Sequence, residues 1–237
     1  MKRILTAFKA DVLFQIKQGF YFVYVILAIL YLIVLSQLGQ DIVKIVLPII
    51  TYIDPSVLGL FFIGGVVLLE KEQGILALLY VSPLKINEYM LSKLASLTVL
   101  SLTVSIALPL IAYDGYVNFP LLILGIIVTS TFFTLCGFII ATGSKTVNTF
   151  FMKMIPWMLL LLIPCVFYYA SLIANLTWLN YLFNLIPSIS GLKIVYGAYN
   201  GLDFVEGLYC IIWMFMINTL LFIKTKQIFT NKMIISG

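Results

Sequence analysis

The sequence predicts an all-α integral membrane protein. It is expected to have six transmembrane helices, an N-terminal amphipathic interfacial helix, and both termini in the cytoplasm. Three observations carry this expectation. Of 237 residues, 63% are hydrophobic and 10% charged, whereas a soluble domain carries about 25% charged residues. That much apolar surface could not remain in water without aggregating. The apolar runs also reach the roughly 20 residues that a spanning helix needs, well beyond a barrel strand, and Lys and Arg fall almost entirely on one side of them.

Residues 1–18 interleave Lys2, Arg3, Lys9 and Lys17 with Leu5, Phe8, Val12 and Ile16 at helical spacing. Such a helix lies along the interface with its apolar face towards lipid. The next run, 20–38, is longer than the apolar part of a signal peptide and lacks a small-residue cleavage site, so it is expected as a retained first span.

The second span admits two readings. Residues 42–53 are interrupted by Lys44 and Pro48. Asp54-Pro55 then resembles an N-cap followed by a proline at the first helical position. A crossing helix over 55–72 would be about 27 Å long, close to the hydrocarbon thickness of about 30 Å. It would leave 42–53 at the outer interface. The alternative is one continuous helix from about residue 44, kinked at Pro55. Gly59, Gly64 and Gly65 allow neighbouring helices to approach closely.

The other spans are expected at 94–112, 121–141, 156–174 and 204–223. The first two of these are joined by the turn Tyr113-Asp114-Gly115-Tyr116. Residues 175–203 are apolar-aromatic but broken by Pro187 and Gly191. They suit short interfacial or partly re-entrant helices, with Trp178, Tyr181, Tyr196 and Tyr199 at headgroup depth or simply forming an aromatic belt. The whole chain, 1–237, reads as a single transmembrane domain.

Charge sets the orientation. With both termini inside, the inner segments hold twelve of the Lys and Arg residues and the outer segments two, Lys44 and Lys193. The positive balance therefore has a membrane explanation and does not point to nucleic acid.

Composition also excludes chemistry. The chain has no histidine, so no histidine-dependent nucleophile set or metal-peptidase motif can be assembled. Cys136, Cys165 and Cys210 lie inside apolar runs without metal spacing and read as packing residues. Between Gly137 and Thr146 the glycine-to-lysine spacing departs from a phosphate-binding loop, since Ser144 separates Gly143 from Lys145. The nine acids all fall at expected boundaries or in loops. Asp54 and Glu206 are nearest to being embedded, each within about a turn of the outer face. A carrier driven by protons or sodium would need a deeper carboxylate.

Residues 70–93 are the longest polar interruption: LEKEQGILALLYVSPLKINEYMLSK, starting at Leu69. Ile75 to Tyr80 is too short to span and too apolar to stand free in water. As a short helix it would offer an apolar face to a partner groove. Glu70 and Glu72 favour its start, and Ser82-Pro83 its stop. The bland alternative is an ordinary loop lying against headgroups.

Glu70-Lys71-Glu72, Gly74, Ser82-Pro83-Leu84, Tyr89 and Ser92-Lys93, together with Asp54-Pro55-Ser56, resemble the membrane subunit of ABC-2 type exporters. Within that family the chain is most similar to the fluoroquinolone-export permease group. The specific motifs occupy about residues 54–93; elsewhere the resemblance is topological. It implies a multi-pass permease of a bacterial cell membrane, moving an amphipathic small molecule, drug or lipid. It further implies a separate ATP-binding cassette subunit, which would hold ATP and Mg, and a second permease copy or a sister permease. No cofactor is expected on this chain, nor any enzymatic activity.

The 70–82 segment would be the coupling helix that receives the ATPase. By position its interface residues are Glu70, Lys71, Glu72, Gly74, Ile75, Leu78, Leu79, Ser82, Pro83 and Leu84. The alternatives to this expectation are a self-contained ion-coupled carrier and a membrane scaffold with no substrate path.

Overall fold

The computed structural model describes residues 2–78, 83–173, 183 and 185–236. The first two helices, α1 (Lys2–Lys17) and α2 (Phe20–Ser36), meet at a 65° bend. Gly19 makes the corner at φ 77°, a left-handed backbone that glycine adopts without a Cβ penalty. On α1, Leu5, Leu13 and Ile16 are exposed, as expected of a face turned to lipid. Its opposite face is polar and buried, through Asp11 and Gln15.

The second span is the continuous helix. α3 runs unbroken from Gln40 to Glu72, 33 residues that include Pro48 and Pro55. At 1.5 Å per residue it is about 50 Å long, well over the hydrocarbon thickness. Residues 42–53 therefore belong to the crossing helix and do not lie along the outer interface. A proline is tolerated inside a membrane helix where neighbouring groups satisfy the freed carbonyl. The carbonyls freed here are those of Lys44 and Thr51, four residues before each proline; close by, the hydroxyl of Thr51 donates to the carbonyl of Leu47 and that of Ser56 to the carbonyl of Tyr52.

A single turn, α4 (Ile75–Leu78), follows, then α5 (Ile86–Ala112), α6 (Phe119–Thr142), α7 (Val147–Ile173), α8 (Pro187–Asn200) and α9 (Phe204–Ser236). By length and apolarity five helices can cross a membrane, α3, α5, α6, α7 and α9, and the bent α1–α2 pair makes six. Three of them outrun the expected spans at the same end of the bundle. α5 begins at Ile86, α7 begins at Val147 with Pro156 inside it, and α9 continues to Ser236. Hydropathy marks only the apolar part of a helix, whereas the backbone ladder continues into the polar turns beyond it.

α3 and α6 form the central pair. Their backbones come close because glycine sits at the crossing: a Cβ on Gly137 would lie 2.5 Å from the carbonyl oxygen of Leu60, and one on Gly59 would lie 3.0 Å from that of Ser130. Against this pair packs α8, buried along almost its whole length from Ser188 to Tyr199. This part of the expected outer segment is thus packed among the other helices of the bundle. Tyr52 of α3 donates to the carbonyl of Ser188 at 2.7 Å, deep in the bundle. At the other end of α8, the carbonyl of Ala198 accepts from the backbone of Asn118 at 2.8 Å. Tyr199, expected as an interfacial anchor, is buried edge-on to Tyr113. Trp178 and Tyr181 lie outside the described residues.

Candidate functional site

The polar stretch after α3 is organised by what stands behind it. Lys93, on the second turn of α5, is 1% exposed. Its ammonium is held between the carboxylates of Asp11 on α1 and Glu70 on α3. Tyr89, one helical turn before Lys93 and on the same face, donates to the second oxygen of Glu70 at 2.6 Å. The ammonium also lies over the Tyr89 ring, 5.1 Å from its centre. Gln15, one turn on from Asp11, donates to the hydroxyl of Ser96 at 2.8 Å.

The cluster thus ties three helices together, and aromatic packing adds two more. The Tyr89 ring stacks on Phe229 of α9 with centres 5.6 Å apart, and both rings meet the edge of Phe138 of α6. Two carboxylates share one lysine in a buried setting, and among the described residues the second oxygen of Asp11 has no hydrogen-bond partner. Such a group is strongly held in place, because separating either partner leaves an uncompensated buried charge.

This frame displays the segment that follows. Glu72, Gln73 and Gly74 are exposed where α3 ends. Gly74 has φ 71° and donates to the carbonyl of Lys71, a left-handed helix stop suited to glycine. Ile75 and Leu76 on α4 are half-buried. Arg3 of α1 donates to the carbonyl of Pro83 at 3.0 Å, tying the interfacial helix to the far side of the segment. Lys85 and Glu88 then close the start of α5, with Glu88 accepting from the backbone of Lys85 at 2.9 Å.

The ten expected interface residues thus separate into groups. Glu70 is buried and faces inward, where it holds Lys93 and Tyr89. Lys71 reaches the carbonyl of Ser144 at 3.4 Å. Glu72, Gly74 and Pro83 are exposed, and Ile75 and Leu84 half-buried. Leu78 ends α4, while Leu79 and Ser82 lie outside the described residues. Sequence reasoning about sites passed over Asp11 and Gln15. The available signal was their i, i+4 spacing on one face of α1, matching Tyr89 and Lys93 on α5.

Asp54 requires a correction. It was expected within about a turn of the outer face, but α3 extends 14 residues beyond it to Gln40. Asp54 is buried and accepts from the hydroxyl of Tyr24 on α2. The expectation failed because it began the crossing helix at Pro55. Glu206 is nearer the surface and pairs with Lys193 of α8. Among the described residues no group of His, Cys, Asp or Glu could hold a metal ion.

The model of the fluoroquinolones export permease protein family matches residues 2–236. Two fluoroquinolones export permease proteins of Mycobacterium tuberculosis are similar to this chain, one from strain CDC 1551 / Oshkosh and one from strain H37Rv. Each is 27% identical over 201 residues, covering 84% of this chain and 82% of its own length.

Proposed function

The chain belongs to the fluoroquinolones export permease protein family, and from that premise we propose that it is the membrane subunit of an ATP-driven exporter. Its spans would form the path for an amphipathic small molecule, with the fluoroquinolones named for its relatives as the first class to try. A separate ATP-binding cassette subunit would dock on the segment after α3, with two permeases in the working assembly. The orientation follows the charge count, with the end that carries α4 in the cytoplasm.

The observation that supports docking at this place is the frame behind it. Glu72, Gly74 and Ile75 stand at the tip of a helix whose last turn is clamped to α1 and α5 through Glu70, Lys93 and Asp11. A push on that tip would therefore move three helices together. Purification of the chain should bring an ATPase with it. Glu72→Lys should leave insertion intact and uncouple ATP hydrolysis from export in membrane vesicles. Unchanged export by that variant would remove the segment from the coupling role.

One observation favours a second reading. Asp54 is a buried carboxyl well inside a crossing helix, the kind of group that is costly there unless functional. An ion-coupled carrier would use it directly. Transport by the purified chain alone, in liposomes with an ion gradient and no ATP, lost in Asp54→Asn, would favour the carrier over the ATP-driven permease.

A further inference from the structure

At the basic end of the bundle a groove of about 580 Å³ opens between α6, α7 and α9. This lies within the size of ligand sites, roughly 300–1,000 Å³. Its walls are apolar, formed by Ile139 and Ile140 of α6, Trp157 of α7 and Leu221 of α9. It extends along α6 from Gly143 to Cys136, a depth of about 10 Å at 1.5 Å per residue. The α7 side is open: Met152 and Trp157 are 69% and 49% exposed. In a spanning helix such residues face acyl chains, so lipid has lateral access.

The mouth of the groove is charged. α6 ends on two carbonyls that are each taken by a lysine: Lys153 donates to Gly143 at 2.8 Å and Lys71 to Ser144 at 3.4 Å. Lys145 is exposed beside them, and Lys224 stands exposed one turn beyond Leu221 on α9. Of the two acids that flank Lys71, Glu72 is exposed and Glu70 is turned inward to Lys93 and Tyr89. Lys153, which lines the groove, and Lys71, on the adjoining carbonyl, match a negatively charged headgroup carrying a long hydrocarbon tail. A lysine also extends its stem along apolar surface and keeps its ammonium at headgroup level.

We propose that this groove binds one anionic phospholipid. An acyl chain lies against Ile139, Ile140, Trp157 and Leu221, and the phosphate meets Lys153 and Lys71. A neutral lipid would fit the walls but leave the mouth unmatched. The proposal does not depend on what drives transport.

Native mass spectrometry of the full chain, released from detergent and titrated with phosphatidylglycerol or phosphatidylcholine of the same acyl chains, tests it. The first phosphatidylglycerol adduct should form at a concentration at least about five-fold lower than the phosphatidylcholine adduct. Lys153→Gln, on an exposed side chain, should erase most of that preference. Lys9→Gln on the exposed face of α1 should not. Leu221→Trp, filling the groove from α9, should remove the adduct whatever its headgroup. Equal binding of the two lipids by the wild-type chain would overturn the proposal. So would an equal effect of Lys9→Gln, which marks diffuse surface charge, or an adduct that survives Leu221→Trp. Displacement of the lipid by a fluoroquinolone, one for one, would assign the groove to cargo instead.

Discussion

Lys93 is the residue on which the basic end depends. Among the described residues it is the one cation paired with Asp11 and Glu70, and it is buried. Removing one partner of a buried ion pair costs about 3–5 kcal/mol, mostly because the charge left behind has no counterion. Lys93→Met leaves two such carboxylates and should lower the thermal midpoint in detergent sharply. Glu70→Gln should be milder, about 1 kcal/mol. With its amide oxygen accepting from Lys93 and its amide nitrogen donating to the Tyr89 hydroxyl, the variant keeps both contacts, and Lys93 keeps Asp11 in a pair that is now neutral overall. A larger loss for Glu70→Gln would mean that the lysine is not the hub. Part of this was legible in the sequence: Tyr89 and Lys93 share a helix face, and Glu70 ends an apolar run. Asp11 was not, because it lies 82 residues from Lys93. Periodicity tells which residues share a face but does not say which faces meet.

At the level of the element, the spans were legible where lipid selects apolar residues, and their extensions were not. α5, α7 and α9 continue past the hydrocarbon on polar turns that hydropathy does not register. α3 was cut short in the sequence reading because Asp54-Pro55 carries a good helix-start signal, and burial against α2 overrides it. The glycines of α3 did announce close packing, but not their separate roles. Gly59 faces Ser130 and Thr134 of α6, whereas a Cβ on Gly65 would meet, among the described residues, the ring of Phe20 at 3.7 Å. Gly137→Ala places its new methyl 2.5 Å from the backbone oxygen of Leu60. A backbone atom cannot turn aside as a side chain can, so α3 and α6 must separate. Overpacking of this kind costs about 1–3 kcal/mol. Gly65→Ala, in ordinary contact distance, should unfold within a degree or two of wild type, an effect on the order of 0.5 kcal/mol or less. Equal midpoints for the two variants would show that the α3–α6 crossing is looser than the distances imply.

For the whole molecule, two kinds of information divide the problem. The geometry fixes which segments share an end. Arg3 meets Pro83, Lys71 meets Ser144, and Tyr89 meets Phe229, so α1, α4 and the C-terminal part of α9 lie together. Asn118 meets Ala198, and Lys193 meets Glu206, so the turn before α6 and the end of α8 lie at the other. The charge count then predicts that the first end faces the cytoplasm, since Lys and Arg concentrate there. The native cysteines make the orientation directly testable, because Cys136, Cys165 and Cys210 are all buried and should label poorly. Lys85 and Asp114 are both exposed, one at each end. In intact cells a membrane-impermeant maleimide should modify Asp114→Cys at once and reach Lys85→Cys only after permeabilisation. The reverse pattern would put the α4 segment outside the cell, beyond the reach of any cytoplasmic ATPase, and the ATP-driven mechanism would fail with it. Labelling of Asp114→Cys from outside, with export lost in Glu72→Lys, would join the orientation to the motor through the helix that carries Glu70.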